Sequence, residues 1–96
     1  MNLSNITEQL RNALPILNRQ YNVAGLGIFG SFARGEAQEK SDIDILVEFS
    51  QTPDIFEFIR LKDYLSGLLG RDVDLVSKKA LKAAIRDSIL REAVYV

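Results

Sequence analysis

Four positions with a distinctive spacing could carry chemistry in this chain. Gly30 and Ser31 are followed, after ten residues, by Asp42 and Asp44, which flank one apolar residue and open an apolar run. Side chains alternate along a strand, so the two carboxylates would project from the same face. Two like charges about 4 Å apart near a protein surface repel by roughly 4 kcal/mol. Such a pair does not stabilise a fold, and we therefore expect a cation between them.

A third acid occurs in another strand-like segment, residues 71 to 76. Asp72 and Asp74 would share one face of this strand, and Val73 and Leu75 the other. Asp74 has apolar neighbours on both sides along the chain, whereas Asp72 lies at the strand entrance beside Arg71 and is interpreted as solvated. Asp74 is therefore the better candidate for a third inward carboxylate, and an exposed strand acid is the alternative.

The Gly30-Ser31 pair is interpreted as a turn between a strand and a short helix over residues 31 to 36. A glycine lets the backbone approach a ligand closely, and free amides at a helix start attract anions. The Ser31 hydroxyl adds a donor, although a simple serine cap would look the same. If Ser31 and Asp42 meet one ligand, the strands on either side must be antiparallel.

Three carboxylates opposite a glycine-serine turn suit Mg²⁺ and a nucleoside triphosphate. Magnesium takes oxygen ligands, keeps several waters and is usually held by a few carboxylates together with substrate phosphates. Two such ions can activate an attacking hydroxyl and neutralise leaving pyrophosphate. This chemistry needs no Cys or His, and the chain contains neither.

A second glycine pattern suggests an alternative, a dinucleotide-binding fold. Gly25, Gly27 and Gly30 spell the G-x-G-x-x-G of dinucleotide-binding folds, and Glu48 ends the next apolar run much as a ribose-binding acid would. The glycines, however, precede and interrupt the predicted strand instead of following it. The segment before the next strand is also too short for a full crossover helix, so we disfavour this alternative.

The elements that must position these residues can be assigned from periodicity and turn signals. An N-terminal helix carries apolar residues from Leu3 to Leu17, with Asn5 and Glu8 as a capping box, and Pro15 is expected to end or kink it. Strands are predicted over residues 23 to 29 and 43 to 49.

The second half of the chain alternates in the same way. Asp54 and Glu57 predict a capping box, and Gly70 predicts a helix end. The intervening helix is expected to bury five apolar residues: Ile55, Phe58, Ile59, Leu65 and Leu69. After the third strand, Ser77 is predicted to cap a last helix with Lys78, Lys79 and Lys82 at its start, and the chain closes on the apolar Ala93 to Val96.

Composition sets further limits. A chain of 96 residues with 47% hydrophobic content is expected to form a single domain, residues 1 to 96. No apolar run approaches a membrane span, and the N-terminus lacks a secretion signal. The absence of Cys favours a cytoplasmic setting, and a net charge of -1 gives no electrostatic basis for direct nucleic-acid binding.

The chain resembles a known family. Gly30-Ser31, ten residues and Asp42-Ile43-Asp44 match the signature of the DNA polymerase β-like nucleotidyltransferase superfamily. The fuller runs 30 to 36, 41 to 47 and 73 to 76, with the ending 91 to 96, are similar to the minimal nucleotidyltransferase family. The resemblance implies an α/β (α+β) nucleotidyltransferase fold, with a small mixed sheet and helices packed mainly on one face.

The resemblance also implies roles for single residues. Asp42 and Asp44 would be ligands of two Mg²⁺ ions, and Asp74 would be the third ligand, which helps activate the attacking oxygen. Gly30 and Ser31 would hold the β- and γ-phosphates of ATP. The implied function is an antitoxin that transfers AMP from ATP to a hydroxyl, typically of tyrosine, on a helical HEPN toxin.

Two alternatives remain beside this function. The chain could be a non-catalytic module that neutralises a helical partner by binding, or it could transfer a nucleotide to a small molecule. The sequence leaves open the acceptor, the number of AMP units, the base preference and the homo- or hetero-oligomeric state. It also leaves open whether Arg34, Lys40, Lys78 or Lys79 contacts phosphate.

Overall fold

A four-stranded sheet in the order β3-β2-β1-β4 forms the centre of the computed structural model, which describes all residues 1–96. In chain order the elements are α1 (Leu3–Tyr21), β1 (Val23–Phe29), α2 (Gly30–Arg34), β2 (Ile43–Phe49), α3 (Ile55–Leu69), β3 (Val73–Ser77), a 3₁₀ turn (Lys78–Ala80), α4 (Ala83–Glu92) and β4 (Val94–Tyr95). None of the helices has the length and apolarity needed to span a membrane.

The sheet is mixed. β1 pairs with β2 and with β4 in antiparallel orientation, whereas β2 and β3 are parallel and are joined through α3. The predicted mixed sheet is therefore confirmed, and so is the antiparallel pair on either side of the Gly30-Ser31 turn. The parallel pair matters most for the site, because it brings the first residues of β2 and β3 to the same edge of the sheet.

The hydrophobic core lies between one sheet face and helices α1 and α3. Sixteen buried residues form one cluster: Ile6, Leu10, Ala13, Leu17, Val23, Leu26, Ile28, Phe32, Ile43, Ile45, Val47, Leu61, Leu65, Leu69, Val73 and Leu75. Because strand side chains alternate, the residues between these positions in β2 and β3 face the opposite side. Asp44 and Asp74 belong to that second face.

Helix α1 differs from its prediction at both ends. Asn2, not Asn5, is the N-cap, and its capping-box partner is Asn5, not Glu8. The helix also continues through Pro15 to Tyr21. An interior proline costs about 3 kcal/mol, but each large apolar side chain buried on either side of it contributes roughly 1.5–3 kcal/mol. Burial of residues such as Leu10 and Leu17 therefore outweighs the proline.

Helix α3 begins and ends as predicted, and Leu65 and Leu69 are buried as expected, but two of the five predicted core residues are not. Asp54 and Glu57 form the capping box, and Gly70 ends the helix with a φ of 66°. Ile55 and Ile59, which were expected to be buried, are 63% and 46% exposed. The buried residues of α3, Leu61, Leu65 and Leu69, recur every four positions. Ile59, two positions before Leu61, points about 200° away from them around the helix axis.

The C-terminal segment also departs from its prediction. Ser77 does not cap a helix: it is the last residue of β3, where it pairs with Val47, and α4 begins only at Ala83. No residue of α4 is buried, so the apolar pattern from Leu81 to Ile89 does not form a core face. The closing β4 strand instead adds to the edge of β1.

Candidate active site

The first residues of the two parallel strands bring the acids together. Asp44 of β2 is the direct register partner of Asp74 of β3, and their side chains share the sheet face opposite the main core cluster, where the buried Leu46 also lies. Asp42 lies two positions before Asp44, on the same face. Asp42 and Asp74 are exposed to solvent, and Asp44 is half-buried. The structure therefore places the first two predicted carboxylates beside the third.

The electrostatics of the cluster show that these acids repel one another. Burial raises the pKa of Asp44 from its ordinary value of 3.8 to about 6, and the negative charges of Asp74 and then Asp42 add to the rise. The Arg34 guanidinium acts in the opposite direction. A carboxyl group with a raised pKa beside two further carboxylates is typical of functional sites, because a bound cation would offset the repulsion between their charges.

Gly30 lies directly against Asp44. It has a φ of +72°, which L side chains rarely adopt, and a Cβ at this position would collide with Asp44 Oδ2 and lie 2.9 Å from its Cγ. The neighbouring pair Phe29 and Asp44 is the last in the antiparallel register of β1 and β2. The turn that begins α2, with Gly30 and Ser31, therefore meets the acid cluster at one end of the sheet.

Glu92, the last residue of α4, contacts this turn. Its Oε2 accepts a hydrogen bond of 2.9 Å from the Gly30 N–H, and its Oε1 pairs with Arg34 Nη1 at 2.7 Å. The Arg34 side chain and then the Gly30 amide lower the pKa of Glu92. Arg34 also pairs with Glu36 at 3.0 Å. The resemblance covered Glu92 within the ending 91 to 96 but assigned it no role, because its partners Gly30 and Arg34 lie 62 and 58 positions away.

Arg71 is the second residue that the sequence did not indicate. Its Nη1 donates to the carbonyls of Glu39 at 2.6 Å and Ser41 at 3.0 Å, and its guanidinium lies 5.4 Å from the centre of the Phe32 ring. These contacts fix the loop that leads into Asp42. In the sequence Arg71 was only the neighbour of Asp72 at the strand entrance, with no role of its own.

The acid cluster borders an open cavity of about 470 Å³. It is lined by Asp42, Asp72 and Asp74 together with Lys62, Asp63 and Ser66 of α3. A larger cavity of about 610 Å³, with Lys78, Lys79 and Arg86, lies at the other ends of β2 and β3 and contains none of the three acids. The site with acids is therefore separate from the largest cavity of the molecule.

The donor set at the acid cluster fits Mg²⁺ in its chemistry. Carboxylate oxygens are the ligands that Mg²⁺ prefers, and it usually takes one or two from the protein and others from substrate phosphates and water. No group of three acidic side chains is placed so that all could hold one metal ion. The adjacent Asp44 and Asp74 with nearby Asp42 thus fit an ion that substrate oxygens complete, and the three-ligand set stays a prediction.

This fold, with acids at the starts of two parallel strands beside a glycine-serine turn, defines a nucleotidyltransferase. The chain belongs to the nucleotidyltransferase domain family, whose sequence model matches residues 10–96 and so includes every residue of the site. Within that family it is a minimal nucleotidyltransferase of the MntA type, as its relatives show.

Two relatives are especially similar in sequence. One is a protein of Methanocaldococcus jannaschii, provisionally named a protein adenylyltransferase, with 53% identity over 98% of this chain and 97% of its own length. The other is the protein adenylyltransferase MntA of Thermococcus cleftensis, with 51% identity over 83% of this chain and 81% of its own length.

Solved structures support the same assignment. A solved structure that is provisionally named a minimal nucleotidyltransferase superposes on this chain with a TM-score of 0.83 and 39% identity. The match covers 98% of this chain and 95% of the other. A crystal structure of a toxin-antitoxin pair with AMP-PNP gives a TM-score of 0.71 and 26% identity, over 99% of this chain and 72% of the matched chain. The predicted nucleotidyltransferase fold is thus confirmed.

Proposed function

We propose that this chain is a Mg²⁺-dependent protein adenylyltransferase that acts as an antitoxin. It transfers AMP from ATP to a hydroxyl, that of a tyrosine, on a helical HEPN-type toxin and so neutralises the toxin. The observation that carries this proposal is the pairing of Asp44 with Asp74 across two parallel strands, with Gly30 against Asp44. The similarity to protein adenylyltransferases supports the choice of a protein acceptor.

The site residues have distinct roles in the proposed reaction. Asp42 and Asp44 hold Mg²⁺, and Gly30 and Ser31 lie where the β- and γ-phosphates bind. Asp74, exposed at the start of β3, completes the ligand set and helps activate the acceptor hydroxyl. The hydroxyl oxygen bonds to the α-phosphorus as the bond from that phosphorus to pyrophosphate breaks, and the hydroxyl proton passes to the Asp74 carboxylate.

Magnesium would neutralise the charge that develops on the phosphates and on the attacking oxygen. The protein's own contribution is mainly position and charge compensation, as in other phosphoryl and nucleotidyl transfers. The raised pKa of Asp44 agrees with this role, because a site that gathers negative charge in its free state binds a cation more favourably.

Exposed apolar side chains and the similarity to solved toxin-antitoxin structures support a helical protein partner. Large apolar side chains are exposed at the start of α3, where Ile55 and Phe56 are 63% and 69% exposed. A chain with these features would gain acceptor recognition and additional burial from a partner.

The proposal is tested with purified chain, Mg²⁺, ATP labelled in its α-phosphate and the helical protein encoded beside it. We expect label on the partner, and loss of that label with an Asp42→Asn, Asp44→Asn double variant that still binds the partner. Mass spectrometry of the partner then identifies the modified hydroxyl. Absence of label on the partner and on small acceptors, with a folded wild-type chain, refutes the enzymatic function.

The same double variant separates catalysis from simple binding, the alternative that the exposed apolar residues favour. If it still neutralises the partner, complex formation is sufficient and the chain is a binding module. If it forms the complex but no longer neutralises, nucleotide transfer is required. Label on an aminoglycoside or another small acceptor, but not on the partner, would instead identify a small-molecule transferase.

A further inference from the structure

Glu92 joins the C-terminal helix to the turn of the candidate active site. Both oxygens of its carboxylate are engaged: Oε2 by the Gly30 N–H at 2.9 Å and Oε1 by Arg34 Nη1 at 2.7 Å. Its side chain is 23% exposed, so these contacts are partly shielded from water. Hydrogen bonds to an ionised carboxylate are stronger than those between neutral groups.

We propose that Glu92 is a positioning residue for nucleotide binding, which holds the Gly30 peptide against Asp44 and directs Arg34 toward the same side of the site. The inference rests on the proposed nucleotidyl transfer and extends it to a residue outside the acid cluster. It also assigns Gly30 a geometric role, because its amide already donates to Glu92 and is not available to a phosphate while that bond persists.

Two features indicate that this contact shapes the turn. Gly30 has a φ of +72°, and its Cα lies so close to Asp44 that no side chain fits between them. A small rotation of this peptide would therefore move the turn relative to the carboxylate. The hydrogen bond that the Gly30 N–H donates to Glu92 restrains this peptide, so it limits that rotation.

The contact lies where α4 approaches α2. Helix α4 has no buried residue, and β4, which follows it, pairs with β1 over only two residues. Glu92 is thus one of few attachments of this segment to the body of the protein. Its two partners, Gly30 and Arg34, are the first and last residues of α2, so Glu92 connects both ends of this short helix to the C-terminal segment.

The chain offers a matched control for these two contacts. Glu36 pairs with Arg34 Nε at 3.0 Å, as Glu92 pairs with Nη1, but it does not contact Gly30. Substitution of Glu36 by Gln therefore removes one of the two carboxylates that pair with Arg34 and leaves the hydrogen bond of the Gly30 peptide unchanged. Any effect specific to Glu92 must come from the turn or from its own ion pair.

The experiment compares Glu92→Ala, Glu92→Gln and Glu36→Gln variants of the full chain. Binding of a non-hydrolysable ATP analogue with Mg²⁺ is measured by calorimetry, the Gly30 amide resonance by NMR and folding by thermal unfolding. We expect Glu92→Ala to weaken nucleotide binding about tenfold, the effect of one lost charge-assisted hydrogen bond. Glu92→Gln should weaken it less, because its amide oxygen still accepts from Gly30, and Glu36→Gln should stay within about twofold of wild type.

The outcomes separate this inference from its alternatives. If Glu92→Ala binds the analogue as tightly as wild type, or more tightly, Glu92 is a bystander or a competitor of the phosphates and the inference is refuted. Equal losses in Glu36→Gln and Glu92→Ala also refute it. If Glu92→Ala does not fold, Glu92→Gln decides, and tight binding by that variant with a shifted Gly30 resonance counts against the inference.

Failure of the proposed function gives a different pattern. In that case the wild-type chain binds no nucleotide, whereas the Gly30 resonance still reports whether Glu92 holds the turn. A Gly30 resonance that is identical in wild type, Glu92→Gln and Glu92→Ala shows that the contact is absent in solution and overturns the inference by itself.

Discussion

Replacement of Asp44 by Asn should stabilise the fold while it removes activity. The pKa of Asp44 is raised to about 6 by burial and by neighbouring carboxylates, so the folded state binds its proton more tightly than the unfolded chain does. Above pH 6 the ionised side chain therefore opposes folding. Asparagine has nearly the same shape and carries no charge, so it removes that penalty.

The size of the effect follows from the shift. A rise from 3.8 to about 6 corresponds to roughly 3 kcal/mol at 1.36 kcal/mol for each pKa unit. Asp44 is only half-buried, and solvent screens part of this repulsion, so we expect a gain of about 1.5 kcal/mol. For a domain of this length, that gain raises Tm by about 6–12 °C.

The assay is urea unfolding in EDTA at several pH values between 4 and 7.5. The stability difference between Asp44→Asn and wild type should be largest at pH 7.5, should fall as pH drops through 6, and should be small at pH 4, close to the unfolded value of 3.8 below which Asp44 is protonated in both states. Asp72→Asn is the matched control: Asp72 is an exposed acid near the same cavity, and its replacement should change stability by less than about 0.5 kcal/mol.

Two results would refute this reasoning. One is an Asp44→Asn variant that is less stable than wild type at pH 7.5. The other is a stability difference that does not change between pH 7.5 and pH 4. The first would show that the carboxylate is stabilised in the folded chain, and the second that folding does not change its pKa; in either case the acids do not form a cluster that requires a cation.

Other substitutions test the same structure. Gly30→Ala should cost more than about 2 kcal/mol in urea unfolding, because its Cβ would collide with Asp44 and its φ is positive. Gly35→Ala, with a φ of +73° but open space around it, should cost only about 1 kcal/mol. Equal costs for the two variants would argue against the Gly30 contact. Leu65→Ala should cost about 2–5 kcal/mol and Ile55→Ala less than about 0.5 kcal/mol, because the first is buried and the second is 63% exposed; the reverse order would place the core of α3 on the wrong face. Addition of Mg²⁺ with a non-hydrolysable ATP analogue should raise the Tm of wild type and EDTA should reverse the rise, whereas Asp44→Asn should not respond; an equal response of both would exclude Asp44 as a ligand.

The parts of the fold that the sequence predicted are those with local signals. The first two strands have the predicted bounds, because Gly30 ends one and the apolar alternation after Asp42 defines the other. Asp54 with Glu57 marks a helix start through hydrogen bonds that span only three residues. These signals depend on neighbours in the chain, and tertiary packing agrees with them.

The parts that could not be predicted depend on distant contacts. Pro15 does not break α1, because buried residues on both sides hold the helix on the sheet. Glu92 reaches Gly30 across 62 positions, and no spacing rule relates such residues. Arg71 had no predicted role, but its guanidinium binds carbonyls of the loop before Asp42. In each case the decisive partner is absent from the local sequence.

The parallel register of β2 and β3 constrains the length of the segment that connects α3 to β3. Asp44 and Asp74 meet only while Ile43 stays level with Val73, and this alignment is set where the chain leaves α3 and enters β3. One residue added or removed after Gly70 would turn Asp74 toward the helices and bring a hydrophobic side chain out to the acids. A change of two residues would keep the alternation of faces but would place Asp72 or Val76, and not Asp74, beside Asp44.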